Sequence, residues 1–322
     1  EIHLHARQFE LLPELLPSFP ESWRVAWEKL SPAGIVHADV HAIYDGKAWQ
    51  PNVVVECLDT SFAYYRFPYR MTEGRGQLQF KDGVLTTDNF QAMARDQIVR
   101  FRAQVRNPGP EFRGVVEVES NGPVPIDEKM IAALEPKNQN IVRLFRPRGA
   151  ATIWGRVERK PDGQFDRRIQ IGLADCSIEH ELFPYPLEQV SGNLIYTNGH
   201  WRFAELRGVK DTAYVVGQGA WNQNDVGELS MRFEATDVPL DDKLRRALKP
   251  GAQRLWGNLR PRGSIDHLTI DMRYESNSRN FGLDVRAQKW APQANLEGRS
   301  ISIQPTWLPY TWDNVTGSMR YD

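Results

Sequence analysis

The chain repeats itself, and the period is too long for a solenoid. Val124–Asp127 reads VPID and Val238–Asp241 reads VPLD; Ala132–Pro136 reads AALEP and Arg246–Pro250 reads RALKP. Leu144–Gly149 reads LFRPRG and Asn258–Gly263 reads NLRPRG, with a worn copy, KLSPAG, at Lys29–Gly34. Phe67–Tyr69 and Phe183–Tyr185 both read FPY, and Leu308–Tyr310 reads LPY. A glycine stands eight residues after each of these prolines: Gly76, Gly192 and Gly317. The markers keep one order at a spacing of about 115 residues, the self-similarity of a repeat architecture. Solenoid units run to about 20–50 residues, so each copy here must carry a small sheet of its own. The reading is a truncated repeat at 1–33, whole repeats at 34–148 and 149–262, and the start of another at 263–322, an excised piece of a longer protein. Such an array builds an extended surface rather than one catalytic pocket.

Within a copy the pattern is mostly period two, the mark of half-buried strands. Strands are expected at Ile153–Glu158, Arg168–Ile178, Gly192–Tyr196, Trp201–Leu206, Tyr214–Trp221 and Glu228–Asp237. Pro161-Asp162-Gly163 is a turn, and Asn198-Gly199 is a strong hairpin signal. Short turn-like linkers call for antiparallel pairing. The period then changes. Asp241–Leu248 reads as a short helix with Asp241 as its N-cap and Leu244 and Leu248 on one face. Pro250-Gly251 is expected to stop it. Bringing VPID into line with VPLD needs one extra residue near Asn121-Gly122, hence a bulge or longer turn there.

The alternation separates an apolar face from a charged one. Leu229, Met231, Phe233 and Ala235 alternate with Glu228, Ser230, Arg232 and Glu234. Ile2, Leu4 and Ala6 alternate with His3, His5 and Arg7, and Val99, Phe101, Ala103 and Val105 with Arg100, Arg102, Gln104 and Arg106. A one-residue slip would invert the faces. An apolar sheet face must be covered, and one short helix per repeat cannot cover six strands. Either two sheets stack as a sandwich or the sheet curls around an apolar trough. A trough through several units would exceed the apolar patch a monomer normally exposes and would suit a long apolar ligand. Its lining is expected from Leu78, Phe80, Val99, Phe101, Val116 and Val118 of one repeat and Ile169, Ile171, Leu173, Leu194, Tyr196, Val216, Met231 and Phe233 of the next. The fold class is therefore mainly β: tandem curved antiparallel sheets with one short helix or crossing segment per repeat.

Antiparallel strands, a short crossing segment such as Pro239–Pro261 and head-to-tail repetition resemble the β-groove module of the AsmA-like/TamB-like proteins, bacterial relatives of bridge-like lipid-transfer proteins. FPYPLEQVSGNLIY at Phe183–Tyr196 and VPLDDKLRRALKP at Val238–Pro250 are similar to phrases of very large members. The repeat is longer than the usual module, and the family's membrane anchor is not in this piece. The resemblance implies a periplasmic groove that holds a phospholipid or other acyl-chain lipid and conducts it, reaching inner and outer membranes through parts beyond this sequence. The alternatives are a structural or adhesive β-sandwich repeat without ligand and a polysaccharide-binding surface using the tryptophans.

Other chemistry is sparse. A net charge of -1 gives no broad attraction to nucleic acid, and Arg100, Arg102 and Arg106 read as a solvated strand face. Cys57 and Cys176 make no disulfide framework and read as buried small residues. No catalytic residues, cofactor or metal ligands are assigned. His37 and His41 have a helical metal-pair spacing but fall on a strand, and the next copy has Thr152 and Arg156 there. His3 and His5 read as solvated. Trp23, Trp27 and Trp256 read as core of the crossing segment.

Overall fold

The computed structural model describes the chain apart from residues 20, 109–110, 182, 223–226, 276–277, 279, 289–300, 316 and 322. The described residues are mainly β, arranged as open antiparallel sheet with short helices. They divide into two compact units, residues 1–139 with 150–171, and residues 140–149 with 172–322.

In chain order the first elements are β1 (Ile2–Glu10), α1 (Glu21–Leu30), β2 (Ala33–Tyr44), β3 (Trp49–Tyr64), β4 (Phe67–Lys81), β5 (Val84–Ala94), β6 (Gln97–Arg106) and β7 (Arg113–Ser120). Next come β8 (Val124–Pro125), α2 (Glu128–Ala133), α3 (Pro136–Phe145), β9 (Arg148–Arg159) and β10 (Phe165–His180). Then follow β11 (Phe183–Thr197), β12 (His200–Lys210), β13 (Ala213–Asn222), β14 (Glu228–Pro239), α4 (Asp242–Ala247), α5 (Pro250–Leu259), β15 (Ser264–Glu275), β16 (Asn280–Gln288) and β17 (Gly317–Tyr321). In the first unit β1 to β7 pair antiparallel in sequence order, and β7 and β8 both pair with β9. In the second, β11 to β17 do the same.

The expected strands are present and run longer at their ends, and the FPY segments open β4 and β11. Asn198 and Gly199 have φ of +48° and +95°, so both central residues of this hairpin are left-handed, as a type I′ turn requires. Asp82 and Gly83 repeat it at +50° and +72°. The extra residue near Asn121-Gly122 breaks a strand in two. Glu119 pairs with Trp154 and Val124 with Ala151, so five steps face three, whereas the matching β14 stays continuous past Asp237.

The crossing segment holds two helices, not one. Pro250 does not end α4; it starts α5 at a position where its missing N–H is no loss. Ser31, Arg146 and Arg260 then turn left-handed, with φ of +43°, +42° and +46°, each just before the proline of its Pro-x-Gly turn. Asp127 and Asp241 cap α2 and α4, their carboxylates accepting from Met130 N at 2.7 Å and Leu244 N at 2.9 Å. Replacing either by Ala is expected to cost about 1 kcal/mol, measurable as a lower urea midpoint with an unchanged slope.

The capped helix α2 sits against the FPY tyrosine Tyr69, and α4 against β11, the strand that carries Tyr185. Met130 and Ala133 of α2 pack on Tyr69, Ala94 and Val99. In the second unit Leu244 of α4 packs on Ala213, Ala235 and Val238. Tyr185 is 8% exposed and its hydroxyl finds no hydrogen-bond partner. Burial, followed by the nearby Asp241 and Asp211 carboxylates, pushes its ionisation up to about 12. The folded state thus holds this proton more tightly than the unfolded chain, whose tyrosines ionise near about 10. Its contribution is present below that pH and is lost as pH rises toward 12. Tyr185→Phe is expected to match or exceed wild-type stability at neutral pH, because it removes an unsatisfied buried hydroxyl. It should also shed part of the alkaline loss, read by urea melts at pH 8 and above. Cys57 and Cys176 are both buried and outside any disulfide, as expected of small core residues.

Candidate ligand-binding face

Cross-strand register decides which side chains share a face, because directly paired residues point the same way. In the first unit Leu78 and Phe80 pair with Val55 and Val53, and Phe80 also pairs with Leu85. Leu85 pairs with Val105, Phe90 with Phe101 and Ala92 with Val99. Phe101 then pairs with Val118, and Ala103 with Val116. The six candidate residues of this unit therefore share one face. Val99 is buried; the other five are half-buried.

This face curves inward in the first unit. Phe62 on β3 and Phe101 on β6 bring their rings to 5.4 Å, and Phe90 lies 5.8 Å and 6.0 Å from them. On a flat sheet β3 and β6 would stand about 14 Å apart at three strand spacings. The side chains meet because the sheet bends around them. α1 reaches over the face through Trp23, whose ring lies edge-on 5.6 Å from Phe80, and Phe19 stacks obliquely against Trp23 and Trp27. These two tryptophans are thus packing residues of the crossing segment. At the β1 edge the face stays open: Ile2 is 41% and Leu4 59% exposed.

In the second unit Leu194 pairs with Phe203 and Tyr196 with Trp201. Met231 pairs with Gly219 and Met272, and Phe233 with Gly217 and Ile270. These residues share a face. Val216 does not belong to it. It pairs with Glu234 and Arg207, so it lies on the charged side, and the apolar position is Val215, opposite Ala235. Tyr214-Val215-Val216 carries no alternation of its own, and Gly217 and Gly219 continue the apolar face without side chains. Their emptiness is used: a Cβ on Gly217 would meet Phe233 Cδ1 at 2.8 Å, and one on Gly219 would meet Met231 Sδ at 2.3 Å. On β10, Ile169 and Ile171 belong to the first unit and Leu173 to the second; all three are half-buried.

The opposite face is charged and internally balanced. Arg100 stands opposite Glu119 and Arg102 opposite Glu117, while Arg156 bridges Glu117 and Glu158. Each of these arginines thus stands beside or opposite a carboxylate on the same face. In the second unit a concavity of about 1080 Å³ is lined by Arg202, Arg232, Asp271 and Arg286 of this face together with Phe203, Met231 and Met272 of the apolar one. Arg232 grips Asp271 with two hydrogen bonds of 2.7 Å and 3.1 Å, holding that carboxyl below the usual range.

One grouping escaped the sequence reading. His41 is not partnered by His37, four residues away, but by His3 on the neighbouring strand and by Glu1. Nothing in the sequence signals it, because the two histidines are brought together only by strand register. Among the described residues no helix is long and apolar enough to cross a membrane. No family model matches the chain, and neither does any curated protein or solved structure.

Proposed function

We propose that this chain is a lipid-binding and lipid-conducting segment of a periplasmic AsmA-like envelope protein. Its partner is a phospholipid or another acyl-chain lipid, and its membrane contacts are made by parts outside this sequence. The observation that carries the reading is the apolar face that runs along several consecutive strands of each unit, buried at Phe90, Val99 and Val105 in the first unit but only half-buried at Leu78, Phe80, Phe101, Val116 and Val118 there and at Leu194, Tyr196, Met231 and Phe233 in the second. Such a face holds an acyl chain by area alone. Each buried CH₂ is worth about 0.8 kcal/mol, so a dozen carbons suffice without a specific polar contact. The charged opposite face keeps the sheet in water. No nucleic-acid partner and no catalytic role enter this reading.

The test is native mass spectrometry of the protein purified from bacterial membranes in mild detergent. Bound acyl lipid, released on unfolding and identified in the organic extract, is the expected result. Lipid-free protein that also fails to take up a fluorescent fatty acid from vesicles would overturn the reading in favour of a ligand-free repeat.

A further inference from the structure

Away from the apolar face, β1 and β2 gather ligating side chains on their polar side. His3 stands directly opposite His41, and His5 opposite Asp39. The His3 and His41 rings stack with centroids 4.1 Å apart and planes 21° from parallel. The Nε2 atom of each lies 2.9 Å from Oε1 of Glu1. All three donor atoms fall within 4.8 Å of one another. From this convergence we propose that Glu1, His3 and His41 form a binding site for a first-row divalent transition metal, with zinc as the reference ion. The inference rests on the pairing of β1 with β2 and is independent of the lipid reading.

Two imidazole nitrogens and one carboxylate oxygen suit zinc and its neighbours, and not calcium or magnesium, which take oxygen ligands. Zinc bonds of about 2.0–2.2 Å place tetrahedral ligand atoms about 3.3 Å apart. Each nitrogen–oxygen distance would lengthen by a few tenths of an ångström, and the two rings, now stacked 21° from parallel, would rotate about their side-chain bonds so that both Nε2 lone pairs converge on the ion. The ion takes the place of the hydrogen bonds that now join Nε2 of each ring to Glu1; a ring bound through Nε2 carries its proton on Nδ1, and any proton in excess passes to solvent. Three protein ligands leave a fourth position for water or an incoming group, and the site opens to solvent, with the Glu1 side chain 61% and His3 54% exposed.

The neighbouring groups do not compete. His37 is four residues from His41, but its Nδ1 accepts the backbone N–H of Gln8 at 3.0 Å, beyond the irregularity between Ala6 and Phe9. His5 is bound through Nδ1 to the Asp39 carboxylate, which Arg7 also approaches at 3.5 Å. An arginine beside that carboxylate disfavours a cation there.

The experiment is calorimetric titration of tag-free protein with Zn²⁺ alone, with thermal melts in parallel. Saturable binding of one ion per chain is expected, with a rise in melting midpoint that grows with zinc concentration. His3→Gln, His41→Gln and Glu1→Gln should each weaken binding at least about tenfold, since even outer-sphere partners of metal ligands are worth that much. Glu1→Gln keeps the side chain's size and removes only the carboxylate charge. His5→Gln and His37→Gln should bind as wild type does. Metal-free melting midpoints equal to wild type would show that the variants fold. Absence of one-to-one binding in the wild type, a Glu1→Gln protein that binds unchanged, or an equal loss in His37→Gln would each overturn the site.

Discussion

Phe233→Asp is expected to strip bound acyl lipid from the second unit while leaving the chain folded and soluble. Phe233 lies over Gly217 and opposite Ile270, on the apolar face and only half-buried, so a carboxylate there reaches solvent when no lipid is bound. With lipid present, the charge would have to be desolvated against hydrocarbon, which costs several kcal/mol, more than the few CH₂ contacts around it return. Phe101→Asp should have the same effect in the first unit, with an added penalty. Its ring touches Phe62 and Phe90, so the variant also loses part of a packed aromatic cluster, and lipid has to be counted per folded chain. The measurement is lipid recovered per mole of protein by mass spectrometry, with circular dichroism melts of the same samples. Wild-type lipid content in both variants would end the groove reading.

The second large effect concerns the glycines that follow the FPY prolines. Gly76 and Gly192 have φ of +133° and +138°, a region that side chains rarely enter. A Cβ on Gly76 would stand 2.8 Å from Phe90 Cα, and one on Gly192 would stand 2.8 Å from both Leu206 Cα and Glu205 O. The strain and the overlap with backbone each cost about 1–3 kcal/mol, so Gly76→Ala and Gly192→Ala should each destabilise by about 2–5 kcal/mol. That is a large part of the 5–15 kcal/mol that holds a typical domain together. Gly257→Ala makes the contrast: it is exposed in α5 with nothing within 4 Å of the added Cβ, and helix propensity predicts a gain of about 0.5–1 kcal/mol. Urea denaturation of the three variants gives the comparison. Equal stabilities across them would show that the recurrence of Gly76 and Gly192 has no backbone cause. The surroundings of the third member, Gly317, lie outside the described residues.

Much of this was legible before any coordinates. The glycine positions followed from their recurrence alone, because a backbone that needs φ > 0 at one point in a copy needs it again in the next. The caps were legible for the same reason: Asp127 and Asp241 stand at equal places before helical spacing. Strand identity and face followed from the period of two, and Asn198-Gly199 declared the turn between β11 and β12. Where the local signal was flat, the reading failed. Val215 and Val216 are equally apolar, so only pairing with Ala235 and Glu234 tells them apart. Pro250 both ends one pattern and begins another, and its helix-starting role depends on the φ of the residues around it.

By itself, then, the sequence determined the β class, the alternation of faces along each strand, the helix caps and the glycines that the backbone requires. These are local properties, carried by the period of side-chain direction and by φ. Tertiary structure alone decided what meets across strands: Phe62 with Phe101 over a bent sheet, Val215 rather than Val216 on the apolar face, and His3 with His41 and Glu1. The physical reason is that alternation fixes only which side of its own strand a residue occupies. Its neighbours are set by register, which hairpin turns and bulges transmit from strand to strand, and by the bending that brings strands three apart into contact.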